Sequence, residues 1–238
     1  MSPSNSVTIL GCRIDNVTWD TIIEFAKQAL KGSQARQIVT LNGEFILAAQ
    51  RDEEFRQTIN GADLVIPDST NIVWVSRLRG GNLTQITPGS DCTVKLCELA
   101  AKMGKSVYFL GGRGGVAQKS AERLQYQFPG LTVAGWSEAD PNSIDPADIA
   151  ASGADIVLVA YGAPKQDKWI AKNGSATGAK LLMGVGGTFD MLAGRLPRAP
   201  KIMRALHLEW LWRLLLQPSR IGRIWNAVVV FPIRALLG

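Results

Sequence analysis

The chain has 238 residues, 46% of them hydrophobic and 19% charged, an ordinary globular composition that supports one main α/β domain with an appendage. Its net charge of +6 is concentrated at the end. Lys201, Arg204, Arg213, Arg220, Arg223 and Arg234 stand against Glu209 alone in residues 201–238, which leaves +1 for everything before them. A single histidine, His207, inside the apolar tail leaves histidine-dependent triads and multi-His metal sites unsupported. Cys12, Cys92 and Cys97 lack Cys-x-x-Cys spacing and read as free thiols of a reducing compartment.

Short β-rich runs alternate with helical stretches almost throughout, the pattern of a Rossmann-like, mostly parallel sheet with helices on both faces. Residues 7–10 form the first expected strand. Thr18 caps a helix whose Trp19, Ile22, Ile23, Ala26 and Leu30 fall at helical spacing before Gly32. Residues 37–40 give a second strand leading into Leu41-Asn42-Gly43-Glu44 and a helix, and residues 64–67 a third, ending at Asp68. A helix near Val73 and an extended piece near Ile86 precede a helix capped by Asp91 and reaching Met103. Strands follow at 106–110, 132–135, 156–160 and 180–185, with a surface loop at 141–146. Gly61-Ala62-Asp63-Leu64-Val65-Ile66 and Gly153-Ala154-Asp155-Ile156-Val157-Leu158 echo one another, as two helix-to-strand joints would.

Ligands of an open parallel sheet collect beyond the carboxyl ends of its strands. Residues just past the expected strands are Thr40, Asn42 and Asp68, then the run Gly111-Gly112-Arg113-Gly114-Gly115, then Tyr161, Gly162 and Gln166, and finally Gly186, Gly187 and Asp190. The glycine run follows a strand and opens a helix, which suits either phosphate contact or a tight turn. It is neither a P-loop nor a clean Gly-x-Gly-x-x-Gly, and no acidic residue closes a second strand about twenty positions on. Asp68 fits either an N-cap of the next helix or a general base. No Asp-x-Asp pair is present to hold a divalent metal, so cationic side chains would have to stabilise a leaving phosphate.

From Gly184 to Arg223 the chain passes from a glycine-rich turn through Gly194-Arg195-Leu196-Pro197-Arg198-Ala199-Pro200 into a Trp- and Arg-rich helical stretch. Arginine forks suit phosphate, and Trp with Arg on an amphipathic helix suits a membrane interface. Bulky apolar neighbours such as Trp210, Trp212 and Trp225 favour lipid over nucleic acid. Pro218 breaks the tail into two short helices that place Arg213 apart from Arg220 and Arg223. His207 reads as packing within the tail. The first residues lack the pattern of a signal peptide, and the apolar run near Val228 is too short to span a bilayer. Domain limits are expected at 1–196 for the core and 197–238 for the appendage. The residues alone leave room for a Rossmann-like nucleotide-binding oxidoreductase or a non-enzymatic membrane-surface scaffold.

Thr40-Leu41-Asn42-Gly43-Glu44, the segment Ala62 to Asp68, Phe109-Leu110-Gly111-Gly112, Tyr161-Gly162-Ala163-Pro164-Lys165-Gln166-Asp167 and Val185-Gly186-Gly187-Thr188-Phe189-Asp190 resemble the WecG/TagA/CpsF family, glycosyltransferase family 26. Arg198-Ala199-Pro200, Glu209-Trp210, Arg213, Pro218 and Arg220 extend the likeness through the tail. The resemblance implies an inverting, metal-independent glycosyltransferase without a cofactor, peripheral on the cytoplasmic face of a bacterial inner membrane. It would move N-acetylmannosamine, its uronic acid or a related hexose from a UDP-sugar to a polyprenyl-diphosphate-linked sugar, for a surface polysaccharide or teichoic-acid-type glycan. It implies Asp68 as general base with Thr40 and Asn42 beside it. Gly111, Gly112, Tyr161, Gln166, Gly187 and Asp190 would contact substrate or UDP, and Arg213, Arg220 and Arg223 the diphosphate. A homo-oligomer is compatible with it. The chain departs from the family's usual residues at Gly43, where Pro is common, at Ser69, where Gly is common, and at Gln85 and Ile86, where an arginine is common.

Overall fold

The computed structural model describes residues 5–197, 199–200, 202–203 and 209–237, without the side chains of Glu209, Arg213 and Arg220. His207, Lys201, Arg204 and Arg198 lie outside the described residues. Two strands, β1 (Ser6–Ile9) and β2 (Cys12–Asp15), make an antiparallel hairpin. Leu10 and Gly11 turn it with φ of 48° and 75°. The sequence predicts only one strand there, because Leu-Gly carries none of the Asn-Gly or Asp-Gly signal of such turns.

Helix α1 (Trp19–Lys31) starts on the expected cap, Thr18, whose side chain accepts from the Thr21 N–H, and it buries Ile22, Ala26, Ala29 and Leu30. Then come β3 (Arg36–Leu41), α2 (Gly43–Ala49), α3 (Glu53–Gly61) and β4 (Leu64–Pro67). The one helix expected after Glu44 is therefore two, since Asp52 caps a fresh start by accepting from the Phe55 N–H. Next are α4 (Thr70–Leu78) and α5 (Gly89–Met103). No strand forms near Ile86. Thr87 instead donates its N–H and hydroxyl to the Pro67 carbonyl, at 2.7 and 3.1 Å, and Asp91 lies in the first turn of α5 rather than at its cap.

The core continues through β5 (Ser106–Gly111), α6 (Val116–Gln127), β6 (Thr132–Ser137), α7 (Pro146–Ala151), β7 (Ile156–Ala160), α8 (Lys165–Asn173), β8 (Leu181–Gly184) and α9 (Thr188–Leu192). In the tail, α10 (Glu209–Leu216) ends before Pro218, and a 3₁₀ turn at Pro218–Arg220 leads into α11 (Ile221–Trp225). A π-helical turn (Asn226–Val230) and α12 (Phe231–Leu237) follow. The break at Pro218 is the one its ring demands. No helix among the described residues is long and apolar enough to cross a membrane.

Six strands form one sheet in the order β4-β3-β8-β7-β5-β6, and every pairing is parallel. Strands β4 and β8 are buried at every residue, as strands covered on both faces must be. One face packs on α1, α5, α6 and α9 through Ile22, Leu96, Ala117 and Phe189. The opposite face packs on the hairpin, α2 and α3, and farther along the sheet on α7 and α8. The helix after β3 thus covers one face and the helix after its neighbour β8 covers the other, so their carboxyl ends part to open a crevice. Cys12, Cys92 and Cys97 are free and buried, and burial pushes the Cys12 thiol up to about 11 and the Cys92 thiol to about 12.

The echoed Gly-Ala-Asp segments do the same structural job. Asp63 accepts from the Gln37 N–H at 2.9 Å and pairs with Arg36 at 2.6 Å, while Asp155 accepts from the Ser106 N–H at 3.0 Å and pairs with Lys105 at 3.0 Å. Each aspartate pins the amino end of a neighbouring strand. Burial works against ionisation of Asp155, and the Ser106 N–H with Lys105 overcomes it to hold the pKa below its ordinary value. Asp63→Ala and Asp155→Ala should each cost about 1–3 kcal/mol, the penalty of an orphaned strand N–H. Urea unfolding will read it, and no change in midpoint would show that water replaces the carboxylate without loss.

Candidate active site

The crevice beyond β3, β4 and β8 deepens into a cavity of about 800 Å³, with the tail forming part of its wall. Of the residues singled out in the sequence, Thr40, Asn42, Asp68, Gln166, Gly187 and Arg223 all line it. Gly111, Gly112, Tyr161 and Asp190 are not in its lining. Arg213 and Arg220 lie on α10 and the 3₁₀ turn, with side chains outside the described residues.

Asp68 stands where β4 ends, its N–H bonded to the Leu41 carbonyl at 2.8 Å. Its carboxylate does not cap the next helix, α4, whose N-cap is Ser69. Oδ1 accepts instead from the N–H of Gly89, at 2.5 Å, where α5 begins. The first turn of a helix therefore holds the carboxylate in place. Thr40 is buried beside it, with Oγ1 3.4 Å from the Gly184 carbonyl. Gly89 packs closely on Thr40, and a Cβ there would sit 3.0 Å from Thr40 Cγ2, tight enough that the threonine would have to shift. Asn42 caps α2, its Oδ1 accepting from the Phe45 N–H at 3.0 Å.

Gln166 is almost fully buried, and its Oε1 accepts from the N–H groups of both Gly162 and Gly186, at 3.1 and 3.0 Å. One amide oxygen thus fixes the β7 and β8 loops relative to each other. Behind it, Asp167 is fully buried against Gly184, where an added Cβ would come within 2.8 Å of Asp167 Oδ1. Burial raises the Asp167 pKa to about 7 against the opposing pull of the Gln166 amide, and neither oxygen makes a well-formed hydrogen bond among the described residues. Asp167 carried no signal in the sequence, since its isolation arises only when α8 packs on β8.

The glycine run lies one strand away. Gly111 and Gly112 have φ of 91° and 83°, and a Cβ on Gly111 would strike the Tyr161 ring. Tyr161 donates its hydroxyl to the Ala139 carbonyl at 2.9 Å. Burial, with the charge of Asp140, pushes its pKa up. The sequence pattern places no acid at the close of the next strand, yet Glu138 directly follows β6. Its carboxylate accepts from the N–H groups of Gly115 and Ala117, at 3.0 and 3.3 Å, and these bonds overcome desolvation to lower its pKa. The chain's own carboxylate therefore occupies the N-terminus of α6. Asp190, in the first turn of α9, accepts through its carbonyl from the Leu196 N–H at 3.1 Å.

Two of the unusual residues meet the tail. Gly43 is the seat of Phe231, which is fully buried, and a Cβ at Gly43 would lie 2.6 Å from that ring. Ser69 donates to Asn71 at 2.5 Å, and Asn71 donates in turn to the Ala227 carbonyl. Arg223 pairs with Glu44 at 2.6 Å, and Arg79 donates to the Ala235 carbonyl. Among the described residues, no three His, Cys, Asp or Glu side chains gather as a metal site requires.

A parallel sheet with a carboxylate and an arginine facing one large crevice is the frame of an α/β group-transfer enzyme. The chain belongs to the Glycosyl transferase WecG/TagA/CpsF family, which it matches over residues 7–237, and it is a glycosyltransferase. It is similar to the N-acetylglucosaminyldiphosphoundecaprenol N-acetyl-beta-D-mannosaminyltransferases of Bacillus spizizenii (35% identity; 82% of this chain, 75% of the relative) and Bacillus subtilis (30%; 84% and 77%). A protein of the same description from Staphylococcus aureus is 29% identical over 94% of this chain and 89% of its own length. Membership in an enzyme family removes the oxidoreductase and scaffold readings.

Asp167 offers a pH test. A folded-state pKa raised from 3.8 to about 7 means that folding takes up a proton between those values, so the residue's contribution is fully present below the lower one and lost as pH rises through the upper. Asp167→Asn should match the native chain in urea midpoint near about pH 4 and exceed it near about pH 8. Equal midpoints at both would show that the carboxylate carries no penalty. Gly43→Ala should lift Phe231 and expose the tail to trypsin while the core stays folded; unchanged cleavage at Arg223 and Arg234 would show that Phe231 can give way.

Proposed function

We propose that the chain transfers a sugar from a UDP-sugar to a hydroxyl of a polyprenyl-diphosphate-linked sugar, with inversion and without a metal ion. N-acetylmannosamine is the donor sugar its relatives' names favour, with its uronic acid or a related hexose as variants. The observation that carries the reading is the placement of Asp68 on one side of a single cavity whose lining also includes Arg223. The acceptor oxygen attacks the anomeric carbon and gives its proton to Asp68. The bond to the diphosphate oxygen breaks with its electron pair, and UDP leaves. One displacement by one nucleophile inverts the centre.

The Gly89 N–H orients the base, and a positioned base is worth about a hundred- to ten-thousand-fold in rate. Thr40 and Asn42 would hold the sugar beside it, and Gln166 keeps the loops carrying Gly162, Gly186 and Gly187 in place. Arg223, with Arg213 and Arg220, would meet the diphosphate. Its present bond to Glu44 is between partly exposed groups and is worth no more than about 1 kcal/mol, so a diphosphate can take it over. Gly111, Gly112, Tyr161 and Asp190 border the nucleotide side in this reading.

The appendage, residues 197–238, would exclude water from the cavity and favour transfer over hydrolysis. Exposed Leu215, Ile221 and Trp225 beside the tail arginines suit the cytoplasmic face of an inner membrane, where each cation near anionic lipid adds roughly 1 kcal/mol. Asp68→Asn should cut acceptor-dependent UDP release by about a hundredfold or more, with EDTA present throughout. Release at the native rate would remove Asp68 as the base.

A further inference from the structure

The cavity lining is of two kinds: polar Thr40, Asn42, Asp68 and Gln166 share it with apolar Trp74 of α4 and Ile224, Val228 and Pro232 of the tail. Those three tail residues recur every four positions. In a pure α-helix each such step rotates by about 40°, but the wider π-helical turn between Asn226 and Val230 offsets the drift, so they can present one continuous apolar edge. The Asn71 bond to the Ala227 carbonyl holds that edge against the start of α4.

The apolar strip does not stop at the cavity. Trp74 is 66% exposed although it lines the wall, and Leu78, one turn farther along α4, is 57% exposed. Ile233 and Leu236 of α12 are likewise exposed, and the Arg79 bond to the Ala235 carbonyl keeps α12 beside the end of α4. From Thr70 to Leu78 the helix advances about 12 Å, running outward from the catalytic end. A pocket for sugars and phosphates alone has no use for an apolar track that opens to solvent, and such surface is costly to leave bare.

We infer that this track takes the first isoprene units of the lipid-linked acceptor; the inference rests on the transfer reaction proposed above and assigns part of its substrate to α4 and the tail. One cavity thus offers both environments that such a molecule needs: Asp68 stands where the sugar hydroxyl reacts, and Ile224, Val228 and Trp74 of the same lining can meet the hydrocarbon. A second copy of the chain would also cover apolar surface, but it would not explain why the strip begins inside the cavity that holds Asp68.

The test compares two acceptors with the same GlcNAc-diphosphate head, one on a polyprenyl chain and one on an n-octyl chain, with UDP-N-acetylmannosamine as donor. The native chain should prefer the polyprenyl acceptor in kcat/KM. Trp74→Ala and Val228→Gln should each reduce that preference by about tenfold, the loss expected from one large apolar contact. Trp136→Ala, on the far edge strand, should leave it unchanged. Because Trp74 is largely exposed, its variant keeps the fold even if the change at Val228 does not. An unaltered preference in the Trp74 variant overturns the track while leaving the transfer reaction standing, as does an equal loss on both acceptors. An unaltered preference with lost self-association would assign the strip to a second copy. Absence of transfer by the native chain to either acceptor would overturn the reaction and the track together.

Discussion

A parallel sheet buried on both sides must send each connection over one face or the other, and here two hydrogen-bonded neighbours, β3 and β8, send theirs to opposite faces. Their carboxyl ends cannot both be covered. The cavity lies in the resulting gap, lined by Thr40 and Asn42 at the end of β3, Asp68 after its other neighbour β4, and Gly186 and Gly187 after β8. Gln166 then ties the β7 loop into the same wall through one buried amide oxygen. The crevice is a consequence of chain routing, and the side chains only give it its chemistry.

Closure of the gap depends on the absence of a side chain. Phe231 enters the second hydrophobic cluster by lying on Gly43, immediately after the residue that caps α2 beside the cavity. The Ser69–Asn71–Ala227 chain of hydrogen bonds makes a second attachment next to Asp68. Gly43 directly, and Ser69 through Asn71, thus serve to dock the tail on the core.

Electrostatically the site is built from opposed devices. Asp68 is presented by the N–H at the start of α5, whereas Glu138 fills the N-terminus of α6 and keeps that anion-binding position for the chain itself. The tail adds Arg223 to the cavity lining and also carries the exposed apolar Leu215, Ile221 and Trp225. Asp167 is the structural cost of placing Gln166: a carboxyl buried against Gly184 with little to hold its charge.

The sequence by itself determined the alternation of strands and helices, the polar residues at the strand ends, the break at Pro218 and the basic tail. Each is a local property, written in periodicity, in turn and cap residues, and in composition over a few positions. It also placed Gly111, Gly112 and Tyr161 on the same edge as Asp68, but it could not say that two strands, β8 and β7, lie between β3 and β5. Strand order follows from which faces the helices cover. Nor could it show why position 43 is glycine, since the reason lies on Phe231, or that Glu44 meets Arg223 across 179 residues. Only the tertiary structure decided those contacts, because they are fixed by packing between distant segments, on which local propensities place no constraint.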